Sequence, residues 1–378
     1  MMRNAFGLLL LGAAAVACSG RYYEVGGIDG AAGNLGTTGG SASGGNATST
    51  AGRAVTTDPG VDAGAGAGDP GTSSPALCVP RGAPAAVTGA FAEPGVVWMR
   101  IATLTYGEPW PATVGVHLPE ETTPGWAGQQ VTAALQLSKT LQGSVPGVEL
   151  FLRQALELDA DATFSEPWGV VATTNNNLLN ALLLAPLEES GRVGVFTEPS
   201  WLETKTTISS RGAAISRVLF ATPVPPPPAN FQNPALDPTL QDRMALQTQL
   251  NSPVCAGCHQ LMDPLGFVLG HFAADGSYRE LDHGLAIDTT GSRRSGMAPD
   301  ELIEFDGIVD FGRKFAGDCD ALKGIAATFA LAAGPLEGAP PELVESSIER
   351  IQQAFVNSNR SYEDLVKAYI QSPAGLRP

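Results

Sequence analysis

Asn251-Ser252-Pro253-Val254-Cys255-Ala256-Gly257-Cys258-His259 is the stretch on which the reading of this chain turns. Two cysteines three apart, followed at once by a histidine, have the spacing of a covalent c-type haem attachment. On one helical turn both thiols reach the two vinyl groups of a porphyrin, and the adjacent imidazole turns under the ring toward iron. Asn251 or Ser252 can cap such a helix and Pro253 suits its first turn, which puts Cys255, Cys258 and His259 at a helix start. His259 is expected to ligate iron through one ring nitrogen and to donate the other to a backbone carbonyl, fixing its tautomer. The fold class that follows is mainly α: a cytochrome-c-like helical haem domain holding one covalent haem c, with helical flanking domains.

Three other chemistries use the same residues. Zinc could take Cys255, Cys258 and His259 with a fourth ligand from His271, His283 or Cys319, although adjacent Cys258 and His259 converge poorly on one tetrahedral ion. A redox dithiol would want the strand-to-helix setting of a thioredoxin-like fold. A purely structural disulfide loop is the third. On the haem reading the sixth iron ligand is open. Met262 follows His259 on the same helix, cannot reach the opposite haem face and reads as core. Met297, in Ser295-Gly296-Met297-Ala298-Pro299, sits on a loop able to fold across the ring. His271 and His283 are the other candidates, beside an open or water-bound iron. Asp263, next to Pro264, reads as fixing the turn that leaves the haem helix.

Outward from the motif, most of the chain is helical in pattern. Val131, Leu135, Leu137 and Leu141 share a face, followed by Val148, Phe151, Leu152, Ala155, Leu156 and Leu158. Leu178, Leu179, Leu182 and Leu183 stand behind Asn175-Asn176-Asn177, which can cap them. Val96 to Ile101 and Leu104 to Tyr106 read as strand or buried helix. Pro223-Val224-Pro225-Pro226-Pro227-Pro228 ends a helix over Ala213 to Phe220 and predicts an extended polyproline strut. Helical spacing resumes at 239–250. In the tail, Leu343, Val344, Ile348, Ile351 and Phe355 form one stripe, Ser361 and Asp364 make a capping box, and Pro373 stops the last helix.

The N-terminus sets the compartment. Arg3 precedes an apolar run from Ala5 to Ala17, and Ala15-Val16-Ala17-Cys18 has the layout of a lipoprotein cleavage site. Cys18 would become the acylated N-terminus; the alternative is an ordinary cleaved signal with Cys18 incidental. Residues 20–74 hold 16 glycines among Ala, Ser and Thr and cannot bury enough area to offset ordering. They predict a disordered Gly-rich tether whose ends lie roughly 40 Å apart. The expected divisions are 1–17 signal peptide, 18–75 acylated N-terminus and tether and 76–187 N-terminal helical domain, and the family resemblance given below implies 188–300 as the CxxCH cytochrome-like domain and 301–378 as a C-terminal helical domain. The expected place is the bacterial cell envelope: exported, lipid-anchored through Cys18 to the outer membrane, facing the periplasm or the cell surface.

Charge excludes some partners and points to others. The 22 Lys and Arg against 38 Asp and Glu give a formal net charge of -16, which argues against nucleic acid. No glycine loop cradles phosphate, so no nucleotide is expected, and no nucleophile elbow or HExxH appears, so no residue is assigned a catalytic role. Around the motif the acidic excess favours a basic redox partner protein. With Cys18 given to lipid and Cys255 and Cys258 to haem, Cys78 and Cys319 remain as a disulfide pair in an oxidising compartment. The alternative is that each sits alone in the core. The functional reading is a membrane-anchored exported haem protein serving electron transfer or a redox complex. The alternative is a structural or substrate-binding lipoprotein with zinc or a disulfide at the motif, and an enzyme with open iron is a third.

Cys255 to Glu280, CAGCHQLMDPLGFVLGHFAADGSYRE, with the later Asp288-Thr289-Thr290-Gly291, resembles the exported cytochrome-like domain of unknown function 1588 of planctomycetes and myxobacteria. Gly194-Val195-Phe196-Thr197, Ser209-Ser210-Arg211-Gly212 and the proline run are similar to that domain's opening. Residues 302–378 resemble the companion domain of unknown function 1585, including Phe315, Cys319 and Tyr362-Glu363-Asp364-Leu365-Val366. Residues 90–187 stand where a domain numbered 1592 usually precedes, without its arginine-rich helix. Gly270 replaces an acidic residue of the family and removes one carboxylate that could have supported the haem ligand. The resemblance implies exported haem binding and names no substrate. It covers Cys319 but not Cys78.

Overall fold

Pro94 opens the first helix, α1 (Pro94–Tyr106), at the position where a missing N–H costs nothing. The computed structural model describes residues 78, 90–108, 118–174, 177–187, 192–225, 235–249, 253–296, 300–334, 336 and 339–377. The signal segment, the tether with Cys18, Pro226 to Pro228 and Met297 lie outside the described residues. The strand-or-helix segment from Val96 to Tyr106 is helix, with Val97, Trp98, Ile101 and Leu104 buried among other core side chains. Burial on most sides of α1 removes the polar face that would have shown its period.

Helix α2 (Pro124–Gln142) starts from Thr123, whose hydroxyl accepts from the Trp126 amide. Its stripe is narrower than the spacing predicts: Val131 and Leu135 are buried, whereas Leu141 is 54% exposed. Helices α3 (Gly147–Leu156), α4 (Trp168–Thr174) and α5 (Leu178–Leu184) follow, the last capped by Asn177 at the Leu179 and Asn180 amides. A 3₁₀ turn at Val195–Thr197 leads to α6 (Pro199–Thr204), then α7 (Ile208–Phe220), whose Thr207 and Ser210 form a reciprocal capping box. Proline at 223 and 225 lies just beyond the end of α7.

Helix α8 (Asp242–Gln249) precedes α9 (Pro253–Phe267), the helix of the CxxCH motif. Two small antiparallel hairpins come next: β1 (Leu281–Asp282) with β2 (Leu285–Ala286), and β3 (Thr290–Arg294) with β4 (Leu302–Asp306). Neither strand pair was expected, since Thr290-Gly291-Ser292-Arg293-Arg294 has no apolar alternation to mark it. The helical tail comprises α10 (Gly307–Phe315), α11 (Cys319–Ala333), α12 (Pro341–Val356), α13 (Tyr362–Ile370) and α14 (Pro373–Leu376). Ser361 and Asp364 make the capping box of α13. Pro373 begins α14 at its first position rather than merely stopping α13.

One apolar core runs from Cys78 to Leu376 with α11 at its centre, packed on α3, α7, α12 and α13. Phe329 of α11 meets Phe151, Tyr362 and Tyr369 at ring distances of 5.1, 6.0 and 5.9 Å. The Tyr362 hydroxyl donates to the Leu104 carbonyl at 2.9 Å, and Arg100 donates to the carbonyls of Gly375 and Arg377, so the C-terminus closes on α1. Cys78 and Cys319 are disulfide-bonded with Cα atoms 5.0 Å apart, both buried.

Candidate functional site

The site is built where α7 crosses α9. Two glycines meet there. A Cβ on Gly212 would lie 1.8 Å from the Met262 carbonyl oxygen, and one on Gly266 would lie 2.1 Å from the Ile208 carbonyl oxygen. Only residues without a side chain let the two backbones approach this closely. The consequence is that Ser209, at the start of α7, stands directly over the middle of α9.

Cys255, Cys258 and His259 occupy the first turns of α9, at positions i, i+3 and i+4 and therefore on one face. Both cysteines are free thiols, Cys255 buried and Cys258 half-buried. The His259 ring is 14% exposed, and its Nδ1 lies 2.9 Å from Oδ2 of Asp263, one turn further along the same helix. Asp263 is 1% exposed. Its other oxygen accepts from the Ser209 hydroxyl at 2.6 Å, and that hydroxyl also lies 3.5 Å from His259 Nδ1. Among the described residues no hydrogen bond is made by His259 Nε2.

Two expectations are corrected here. The partner of His259 is a buried carboxylate, not a backbone carbonyl. Asp263 does not sit in a turn leaving the helix, because α9 continues through Pro264 to Phe267. Pro264 forfeits the hydrogen bond its N–H would have made and its ring crowds the carbonyl one turn back, but Leu265 and Phe267 are buried just beyond it. A side chain at Gly270 would meet Ile287 at 3.0 Å and the Phe267 carbonyl at 3.1 Å. The carboxylate that reaches His259 instead comes from within α9.

The remaining candidates are held elsewhere. His271 Nδ1 pairs with the Arg279 carbonyl at 2.9 Å, and its ring stacks on Tyr278. His283, at the tip of the first hairpin, has Nδ1 3.1 Å from Asp282 and Nε2 2.9 Å from the Pro238 carbonyl. Cys319 is consumed by the disulfide. The three fourth ligands considered for zinc are therefore engaged in other bonds. Among the described residues no three His, Cys, Asp or Glu side chains gather so as to hold a metal ion. Met262, half-buried on α9, lies on the helix of His259 as expected.

Arg211 is the residue whose importance the motif does not announce. It is 1% exposed and spends its guanidinium on backbone: Nε donates to Lys205, Nη1 to Phe272 and Nη2 to Ala273. The fork ties α7 to the chain just after α9 and so fixes the far end of the site helix. Burial lowers its pKa to about 10, with Arg279 adding to the effect, and it stays charged at neutral pH. Some of the local acidic charge is paired: Arg279 bridges Asp242 and Asp282, and Arg243 holds Asp288 while lying over the Phe267 ring.

The donor set fits a covalently attached haem. Two free thiols share one face with an imidazole whose Nδ1 is already anchored, which fixes the ring's orientation and leaves Nε2 as its other nitrogen. No helix among the described residues is long and apolar enough to cross a membrane. Residues 192–282 match a family described as "Protein of unknown function (DUF1588)", short name PSCyt3. The matched stretch holds Ser209, Arg211, Gly212, the CxxCH motif and Asp263, and it stops before the second hairpin. Comparison with curated proteins and with solved structures finds no match for the chain.

Proposed function

We propose that the protein is an exported c-type haem protein that carries electrons, either alone or as a subunit of a redox complex. The observation that supports this most directly is the arrangement of Cys255, Cys258 and His259 on one face of the α9 start, with Nδ1 of the histidine held by a buried carboxylate. Cys255 and Cys258 would form the thioether links and His259 would ligate iron through Nε2. Haem supplies a one-electron couple when bound. The chain's own contribution is to orient the imidazole through Asp263 and Ser209, and to hold α9 in place through the Gly212–Gly266 crossing and the Arg211 fork. Acylation of Cys18 would tether the protein to the cell envelope, with a redox protein as its partner.

The test is to export the full chain from a host that has haem-maturation machinery. Haem should stay with the denatured polypeptide on a gel and show the absorption of a thioether-linked haem. The double substitution Cys255→Ala with Cys258→Ala should abolish it. Wild-type protein that carries stoichiometric zinc and no haem overturns the reading. Fatty-acid labelling should mark the wild type and fail in Cys18→Ser.

A further inference from the structure

We propose that Asp263 is a positioning residue that sets the haem midpoint potential low by loading negative charge onto His259, and that Ser209 limits how low. The proposal rests on the haem reading above. Its basis is the buried triad itself. Asp263 Oδ2 lies 2.9 Å from His259 Nδ1, its side chain is 1% exposed, and the other oxygen takes the Ser209 hydroxyl at 2.6 Å. None of its described hydrogen bonds or ion pairs comes from Lys or Arg, so its charge is directed at the imidazole.

A carboxylate accepts the Nδ1 proton far more strongly than a backbone carbonyl does. The ring gains imidazolate character and Nε2 becomes a more basic ligand. A more basic, negatively charged ligand environment favours ferric over ferrous iron and lowers the potential. The buried setting weakens solvent screening of that charge. The i, i+4 spacing places the carboxylate from within the helix that carries the ligand, so no loop need close to make the contact. Ser209 acts in the opposite sense. By donating to Oδ1 it draws charge off the carboxylate, and its position depends on the close crossing of α7 with α9.

The experiment is a spectroelectrochemical titration of the exported, haem-loaded full chain, with Raman measurement of the iron–histidine stretch in the ferrous form. Asp263→Asn should raise the midpoint and lower the stretching frequency, and Asp263→Glu should recover part of both. Ser209→Ala should move the midpoint the other way, below wild type. Opposite signs are the signature, since general loosening of the site would shift both variants in one direction. Loaded Asp263→Asn with an unchanged midpoint, or Asp263→Asn and Ser209→Ala shifting together, overturns the proposal and leaves the haem reading standing. Should Asp263→Asn fail to load, Ser209→Ala decides alone: a midpoint at or above wild type refutes it. Wild-type protein without haem overturns both.

Discussion

Alanine at position 212 would place a methyl carbon 1.8 Å from the Met262 carbonyl oxygen and 2.8 Å from the Gly266 amide nitrogen. Carbon and carbonyl oxygen approach to about 3.3 Å, so α7 and α9 would have to part by roughly 1.5 Å. Both obstructing atoms are backbone, and no rotamer change relieves the contact. Overpacking of this kind costs about 1–3 kcal/mol. The same separation stretches the 2.6 Å Ser209–Asp263 bond past hydrogen-bonding range, forfeiting a further ~1.5–3 kcal/mol for a bond to a charged group. The combined loss of about 3–6 kcal/mol should lower the thermal midpoint by roughly 6–15 °C in a domain of this size. The assay is a far-ultraviolet circular dichroism melt of Gly212→Ala beside Gly257→Ala. Gly257 lies on α9, the other helix of the crossing, is exposed and has nothing within 4 Å of its added methyl, so alanine there should stabilise by about 0.5–1 kcal/mol. Equal melting of Gly212→Ala and wild type would refute the close-crossing argument.

Three further outcomes are expected. Cys78→Ala with Cys319→Ala opens a closure spanning 241 residues and should cost about 5 kcal/mol in the chain-entropy account, read as a lower denaturant midpoint than the intact protein without added reductant. Glu198, fully buried, accepts from Ser165 N, Ser165 Oγ and Trp168 Nε1; Glu198→Gln turns an amide donor toward those donors and should cost about 2–4 kcal/mol by urea titration, with a shift in Trp168 fluorescence. Asp318 caps α11, and burial raises its pKa to about 6. The folded state therefore holds its proton more tightly than the unfolded state, and this group's contribution to stability falls as pH rises from about 4 to about 6. Asp318→Asn, which keeps the cap acceptor, should match wild type at pH ~4 and exceed it at pH ~7 by about 2–3 kcal/mol in urea titrations; a variant less stable at neutral pH would contradict the assignment.

The helices were legible where one face is buried and the other wet. Val148, Phe151, Leu152, Ala155 and Leu156 mark α3, and Val344, Ile348, Ile351 and Phe355 mark α12, because the opposite sides of those helices carry charge. Helix α1 was ambiguous for the reverse reason, being buried on most sides. The two hairpins were invisible because β3 pairs five polar or small residues with β4 and buries almost nothing to produce a period of two. Leu141 was misassigned because spacing alone cannot say where a core ends.

The site shows the same division between local and long-range information. The CxxCH motif lies within five residues on one face of α9, so its spacing can be read without a fold. His259 and Asp263 were also legible in principle, since i, i+4 pairs on a helix face each other. Pro264 hid them: the residue before a proline is pushed away from helical dihedrals, so the natural reading ends the helix at Asp263 and dissolves the spacing. The structure resolves this in favour of the helix because what lies beyond the proline is worth more than what the proline removes. An interior proline costs about 3 kcal/mol. Leu265 and Phe267, both buried, each return roughly 1.5–3 kcal/mol, and the Gly266 contact with α7 exists only if the helix runs on. Packing fifty residues away in sequence thus decides whether a carboxylate stands beside His259. Ser209 is the part no local pattern could supply, because its place over Asp263 is a property of the crossing and not of either helix.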